Sequence, residues 1–438
     1  MERLEDYLIL HAGQHPDKPA VLTATECVSY GQLCERAQQR AAQLSGQTQE
    51  RCIVFRASQT ADFLVDYFAI HLAGRVAVPL EHDVPEARMQ EIISLTRQSD
   101  IPQGVADILF TTGTTGRSKG VMIGHHTILA NAENLAEAQG FSADLTFIIS
   151  GPLNHIGSLS KIYPTILQGG TLYVTPGMKD SNAFFEALDY PAPRMGTFLV
   201  PASIRILLQF SRQRLASYAH KIELIETGAA PITQSDMEQL CEVLPHTRLF
   251  NTYASTETGI ISTYNFNDGQ CVAGCLGRPM RHSNFHITPD GLVACTGKTL
   301  MMGYVGDPQL TSKILYDGVL HTSDHGTIDS LGQLHLQGRS DDVINTGGFK
   351  VNPVEVEDVA MALPEVIDCV CIPVPHVVLG KALKLLVVLA EGHALDKKRI
   401  ALHISQHLER HKVPVAYEQT DKVNRTYNGK LDRKSYLL

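Results

Sequence analysis

Residues 111–120 read TTGTTGRSKG: three glycines, four threonines, one serine and one lysine within ten positions, directly after the apolar run ADILF. Such a segment buries little and is costly in backbone entropy, because glycine loses the most freedom on folding. It is well suited to an anion. Glycines let the backbone approach closely, successive N–H groups cradle phosphate oxygens, and hydroxyls and the Lys119 ammonium add donors and charge. A Walker A loop, G-x-x-x-x-G-K-[ST], does not fit: counting from Gly113, Ser118 stands at the second glycine and Gly120 where Ser or Thr is required. A flexible linker is the plain alternative, but linkers rarely follow a buried-strand pattern.

Further segments carry groups of the same kind: ETGAAPI, NTYASTETG, HTSDHG, LQGRSDDVINTGGFKVNPVEVE and NRTYNGKLDR, in that order. Taken singly, each has an ordinary explanation. Glu257 is a carboxylate in a Thr-rich turn, Asp324 and Arg339 are candidates for a surface ion pair, and Lys430 sits in a basic tail. His155, in PLNHIGSLS, would more often be a structural histidine.

Together with the opening loop, these segments resemble the adenylate-forming superfamily: acyl- and aryl-CoA ligases, adenylation domains of peptide synthetases, and beetle luciferases. The resemblance runs from about Ser29 to Arg433. It implies ATP-dependent activation of a carboxylic acid as acyl-AMP, followed by transfer to a thiol. Such catalysis is mostly positioning and charge neutralisation as pyrophosphate leaves.

On that resemblance Thr111, Thr112, Gly113, Thr114, Thr115, Gly116 and Lys119 hold the β- and γ-phosphates. Glu257 is the Mg²⁺ carboxylate, since Mg²⁺ is typically held by one or two carboxylates plus phosphates, and Thr256 donates to the α-phosphate. Tyr253 stacks on adenine, Asn251 and Thr252 belong to the same nucleotide-binding stretch, and Gly228, Ala229, Ala230 and Pro231 line the adenine and the acyl pocket. Asp324 and Arg339 reach the ribose, His155 stands beside the incoming carboxylate, and Asp341 is the hinge of a rotating C-terminal domain. Lys430 is then the adenylation lysine, while Gly347, Gly348 and Lys350 meet CoA. The stretch GGFKVNPVEVE favours the acid–CoA ligase branch. Loading of a carrier protein's phosphopantetheine is the alternative enzyme reading, and a non-catalytic nucleotide-binding scaffold is the alternative of another class.

The sequence departs from the family pattern in places. Ala254 and Ser323 stand where glycine is usual, and Val293 replaces a frequent glutamate. The phosphate loop also begins early, so a strand–helix portion before it is missing and the N-terminal region is abbreviated.

The elements that must position these residues follow from hydrophobic patterning. RCIVFRAS, RVAVPL, ADILFTT, DLTFIIS, GTLYVTP, RMGTFLVP and KIELIETG fit buried strands, with helical segments between several of them, so layered α/β sheets are expected. Leu4, Tyr7, Leu8 and His11 mark a first amphipathic helix; Leu33, Ala37, Arg40 and Leu44 mark one side of a second. Beyond about residue 260 glycine-rich, β-like pieces dominate, predicting a small β-rich subdomain. The expected division is a nucleotide- and acid-binding domain over residues 1–340 and a mobile α+β domain over 341–438.

The chain has 438 residues, 44% hydrophobic and 19% charged, with a net charge of −9. That composition suits a globular protein and argues against nucleic-acid binding. No run approaches a membrane span, and no secretory leader is expected from the opening residues. The nine scattered cysteines lack zinc-ligand spacing, which points to reduced thiols and a cytoplasmic location. A homodimer is compatible with the sequence. The acyl pocket is expected around His155–Ser158, Phe198–Ser203, Glu226–Pro231 and Thr252–Ile261, with no Lys or Arg in those stretches and Arg205 just outside. An aryl or medium aliphatic monocarboxylic acid is the expected substrate.

Overall fold

The computed structural model describes residues 1–111, 118–178, 180–268, 270–340, 342–426 and 431–436. All seven apolar runs form strands: Cys52–Arg56, Val76–Leu80, Val105–Thr111, Leu145–Ile149, Thr171–Val174, Arg194–Phe198 and Ile222–Thr227. Leu145–Ile149 and Thr171–Val174 are buried at every position, as parallel strands covered on both faces should be.

Both amphipathic patterns form helices, Leu4–Gln14 and Tyr30–Gln47. The second starts at a reciprocal cap in which Gln32 N–H donates to Ser29 Oγ and Ser29 N–H donates to Gln32 Oε1. Its buried side is Leu33, Ala37, Ala41 and Leu44. Arg40, expected on that side, points outward and donates to Asp66 at 2.9 Å, because the 3.6-residue repeat brings Ala41 over Leu33 and Ala37.

Among the described residues the larger sheet has 14 strands. Its parallel half runs, in spatial order, Pro19–Leu22, Thr171–Val174, Leu145–Ile149, Arg194–Phe198, Ile222–Thr227 and Arg248–Ser255. From Gly259–Asn265 onward the pairing is antiparallel, and the β-rich portion continues this sheet through Cys275–Pro279. In open parallel sheets ligands bind beyond the carboxyl ends of the strands. His155, Leu199, Gly228 and Thr256 all lie just past such ends on four adjacent strands.

The smaller sheet orders Gly303–Tyr304, Lys119–Gly124, Val105–Thr111, Val76–Leu80 and Cys52–Arg56. Strands Val105–Thr111 and Lys119–Gly124 form an antiparallel hairpin with Thr111 opposite Lys119, so the Thr/Gly-rich loop is its tip. The helix Glu86–Gln98 leads into this hairpin with little chain between.

After residue 340 a separate core forms. Helices Pro353–Met361 and Lys397–His407 pack on strands Val366–His376, Gly380–Leu389 and Ala416–Gln419 around Val356, Cys371, Leu385 and Ile404. None of the nine cysteines is in a disulfide. Among the described residues no helix is long and apolar enough to cross a membrane.

Candidate active site

The hairpin register brings two of the phosphate-loop candidates together. Thr111 and Lys119 face each other at the tip, and the Lys119 ammonium lies 5.4 Å from the ring centre of Tyr304. Tyr304 donates its hydroxyl to Glu257 Oε1 at 2.9 Å. Burial, followed by the charge of Glu257, raises the Tyr304 pKa, so the phenol remains a donor. The strand Gly303–Tyr304 pairs with the hairpin at Val121 and carries this tyrosine into place. Sequence reading missed Tyr304; its only signal is the short GYVGD turn.

Glu257 sits half-buried in the turn between Arg248–Ser255 and Gly259–Asn265, next to buried Thr256. Ser255 and Thr258 lock that turn reciprocally: each backbone N–H donates to the other's hydroxyl at 3.0 Å. Gly259 closes it at φ +68°, where an added Cβ would lie 2.4 Å from the Thr299 carbonyl, so only glycine fits. Ala254, two residues before Thr256, lies at a register shift and keeps a negative φ, so its methyl needs no strained backbone.

A second group assembles one strand end away. Tyr253 donates its hydroxyl to Asp324 Oδ2 at 2.7 Å, across 71 residues of chain. Asp324 and Arg339 are paired across neighbouring strands, with Arg339 Nη1 3.6 Å from Asp324 Oδ1. Ser323, the departure from glycine, accepts from Arg339 Nη2 at 2.7 Å and so helps aim the guanidinium. Asn251 and Thr252 are buried in the same strand; Asn251 donates to the Cys275 carbonyl and Thr252 bonds Thr263.

The floor between the groups is tight. An added Cβ on Gly228 would meet the Thr252 carbonyl at 2.9 Å, and Ala229 holds φ +67°, a sparsely populated conformation that persists only when its surroundings impose it. Ala230 and Pro231 follow at the surface. His155 caps the short helix Ile156–Leu159, its Nδ1 accepting from Gly157 N–H. The Phe198 ring lies against both Gly157 and Gly228.

The stretches expected to line the acyl pocket hold no Lys or Arg, but a cation from outside them packs against two of their residues. Lys161 is 1% exposed, donates to Glu226 Oε1 at 2.7 Å, and stands 5.2 Å from the Phe198 ring centre. Burial lowers its pKa against the pull of Glu226. It was missed because it lies outside the strand ends, inside the apolar stretch IGSLSKIYPTIL. Arg205 is turned away, bonding Asp236 and Asp368.

Gly347 and Gly348 form the two-residue turn of the hairpin Ile344–Thr346 and Phe349–Val351, at φ +57° and +89°, and Lys350 is exposed beside them. Thr112, Gly113, Thr114, Thr115, Gly116, Asp341 and Lys430 lie outside the described residues.

The fold and the sequence both have known counterparts. The profile of the family described as AMP-binding enzyme matches residues 10–101 and 94–305, and that of the AMP-binding enzyme C-terminal domain matches 355–430. The two segments of the first match overlap at residues 94–101, ahead of the hairpin. Indoleacetate–CoA ligase of Aromatoleum aromaticum is 26% identical over 98% of this chain and 96% of its own. Feruloyl-CoA synthase of an Amycolatopsis species is 27% identical over 76% of this chain and 70% of its own. Among solved structures, ATP-bound MatB from Rhodopseudomonas palustris superposes with a TM-score of 0.85 at 24% identity, over 98% of both chains. o-Succinylbenzoate CoA synthetase (MenE) from Bacillus subtilis, holding its acyl-adenylate, gives 0.83 at 20% identity, over 98% of this chain and 97% of that one. With the family profile spanning most of residues 10–305, the chain belongs to the AMP-binding enzymes, the adenylate-forming superfamily of ATP-dependent, AMP-forming ligases.

Proposed function

We propose that this chain joins an aryl or medium aliphatic monocarboxylic acid to CoA. A carboxylate oxygen attacks the α-phosphorus of ATP and pyrophosphate leaves; the CoA thiolate then attacks the acyl carbon and AMP leaves. The observation that carries this reading is the convergence at the strand ends. Lys119, Tyr304 and Glu257 form one contiguous group, and Tyr253, on the strand that leads into Glu257, forms another with Asp324 and Arg339 of two neighbouring strands.

In this reading Thr111 and Lys119, with the loop between them, hold the β- and γ-phosphates. Asp324 and Arg339 hold the ribose, and Tyr253 faces the adenine while its hydroxyl orients Asp324. Glu257 is the residue that would hold Mg²⁺, and a single half-buried carboxylate oriented by a phenol fits an ion whose other ligands are phosphates and water. When bound, Mg²⁺ neutralises charge on the leaving pyrophosphate. Thr256 serves the α-phosphate, His155 the incoming carboxylate, and Lys430 the adenylation step. The C-terminal domain turns at Asp341 and brings Gly347, Gly348 and Lys350 towards CoA. CoA as acceptor rests on the ligases to which the chain is similar.

Restriction to monocarboxylates rests on Lys161. Within the described acyl region this buried cation is already neutralised by Glu226, so it does not offer a second carboxylate an open partner. Phe198 against the two glycines leaves a flat, apolar wall.

ATP–pyrophosphate exchange across aryl, fatty, dicarboxylic and amino acids, with Mg²⁺ and without CoA, tests the proposal. Exchange with aryl or medium aliphatic acids is expected, and CoA should then convert that acid to its thioester. Exchange confined to dicarboxylic or amino acids would overturn the substrate class. Binding of ATP with no exchange for any acid would overturn the activity.

A further inference from the structure

Beneath the same hairpin, away from the strand ends, lies a buried polar cluster that the proposed reaction does not use. Glu5 on helix Leu4–Gln14, His71 on helix Ala61–Leu72 and His125 at the start of helix His125–Gln139 point one ligand atom each into a common space, all within 4.8 Å of one another. Glu5 is 3% exposed and His71 fully buried. Both carboxylate oxygens of Glu5 and Nδ1 of His71 lack a hydrogen-bond partner among the described residues. Orphaned buried polar atoms are expensive, and three converging on one point call for an occupant.

The rest of the cluster favours a cation. His71 Nε2 bonds Asp107 Oδ1 at 2.9 Å. A carboxylate only accepts, so Nε2 is the donor, and Nδ1 faces Glu5 and His125, where a cation would displace any proton it carries. Asp107 is itself fixed by the hydroxyls of Tyr67 at 2.9 Å and Tyr163 at 3.3 Å. A carboxylate behind a histidine is the usual support of a metal ligand. His71 Nδ1 and His125 Nδ1 each stand 3.9 Å from a Glu5 oxygen, too long for hydrogen bonds; two ligands of a tetrahedral ion lie about 3.3–3.5 Å apart, so side-chain shifts of about half an ångström would close the site. Arg3 Nη1 lies 3.7 Å from Glu5 Oε1 on a half-exposed side chain that can swing away. A surface cavity of about 420 Å³, lined by Met1, Glu2, Arg3, Glu5, Asp6 and Leu72, gives access from that side.

We propose that Glu5, His71 and His125 form a binding site for a divalent transition metal, Zn²⁺ by its donor set, distinct from the nucleotide site. Two imidazoles and one carboxylate suit Zn²⁺, and the site ties three helices to the base of the hairpin whose tip is the phosphate loop.

The test uses the full chain, tag-free, stripped with chelator and dialysed. Titration with Zn²⁺, followed by metal analysis, should give about one equivalent per chain that resists gel filtration. Co²⁺ should give visible d–d bands of a tetrahedral nitrogen–oxygen site. Glu5→Gln and His125→Gln should each weaken Zn²⁺ binding by about 100-fold or more, and Asp107→Asn, behind the ligand, by about 10–100-fold. His125 is at the edge of the cluster, so His125→Gln should remain folded by circular dichroism. If the wild-type chain takes up neither metal, the inference fails and a water or an ion triad fills the space. Equal Zn²⁺ affinity in wild type, Glu5→Gln and His125→Gln, with loss instead in His403→Gln, would place the ion on the helical His403–His407 pair and also overturn it.

Discussion

The hairpin of Val105–Thr111 and Lys119–Gly124 has two ends built on opposite rules. Between its strands the sequence is rich in glycine and threonine and ends in Lys119, types that the proposed function uses for backbone access and donors to an incoming anion. Its base is Asp107 and the nearby His125, in a buried network of Tyr67, His71, Tyr163 and Glu5. At the base most polar groups have found a partner within the protein. A ligand-binding loop must be open enough to exchange, so its anchoring falls to the strands beneath it. The comparison therefore separates residues whose loss slows the reaction from residues whose loss loosens the fold.

The largest effect is expected at Lys430, the proposed adenylation lysine. Lys430→Ala should lower the adenylation rate by about 10²–10³-fold, the scale of one transition-state donor, and leave thioester formation from supplied acyl-AMP nearly intact. Thermal unfolding should not move. Single-turnover assays of the two half-reactions check this, and equal losses in both would end the two-conformation reading.

Asp107→Ala breaks the comparison from the other end. It removes the acceptor of three buried donors, His71 Nε2, Tyr67 Oη and Tyr163 Oη. Stranded buried donors should destabilise the N-terminal unit by about 3 kcal/mol or more. Denaturant unfolding should shift while the KM for ATP of the surviving folded enzyme stays within about twofold, because the tip is untouched. A rate loss without a stability loss would mean the base takes part in the chemistry.

Tyr304→Phe probes the seam between tip and turn. The Glu257 carboxylate loses its phenolic donor, worth about 1.5 kcal/mol for a bond to a charged group, so the KM for MgATP should rise about tenfold. The ring remains beneath Lys119, so stability should change little. A twofold effect or less would show that Glu257 is held by its turn alone.

What the sequence revealed, and what it concealed, follows the same division. The seven apolar runs were legible as strands because buried parallel strands are nearly continuous in hydrophobicity. The site candidates stood out because residue types suited to anion binding cluster within a few positions of one stretch. Tyr253 on Asp324, Tyr304 on Glu257 and Lys161 on Glu226 were not legible, since each joins elements far apart in the chain. Nor was Glu5 with His71 and His125, which three helices contribute one residue at a time. Arg40 was misplaced for a simpler reason: a long side chain near the edge of an apolar stripe belongs to whichever neighbour offers a charge, here Asp66.

The smallest effect concerns how the C-terminal unit meets the large unit. Arg205 donates to Asp236 within the large unit and to Asp368 of the C-terminal unit, and Asp368 also accepts from Arg425. Close by, burial pushes the half-buried Asp358 carboxyl up to about 7, with Glu357, Asp236 and Glu355 raising it and Arg205 opposing. A carboxyl whose pKa is raised in the docked arrangement holds its proton there while an undocked, solvated one has lost it, so docking takes up a proton. The docked arrangement should therefore weaken as pH rises from the ordinary carboxyl value of 3.8 towards about 7, and level off above. Because Asp358 is partly exposed, solvent screens the effect to the order of several-fold in the docking equilibrium. Resonance energy transfer between dyes on the two units, read from about pH 5 to 8, should show this slope, and Asp358→Asn should flatten it. A slope unchanged in Asp358→Asn would assign the pH response to another group, and stronger docking at high pH would reverse the sign on which the expectation rests.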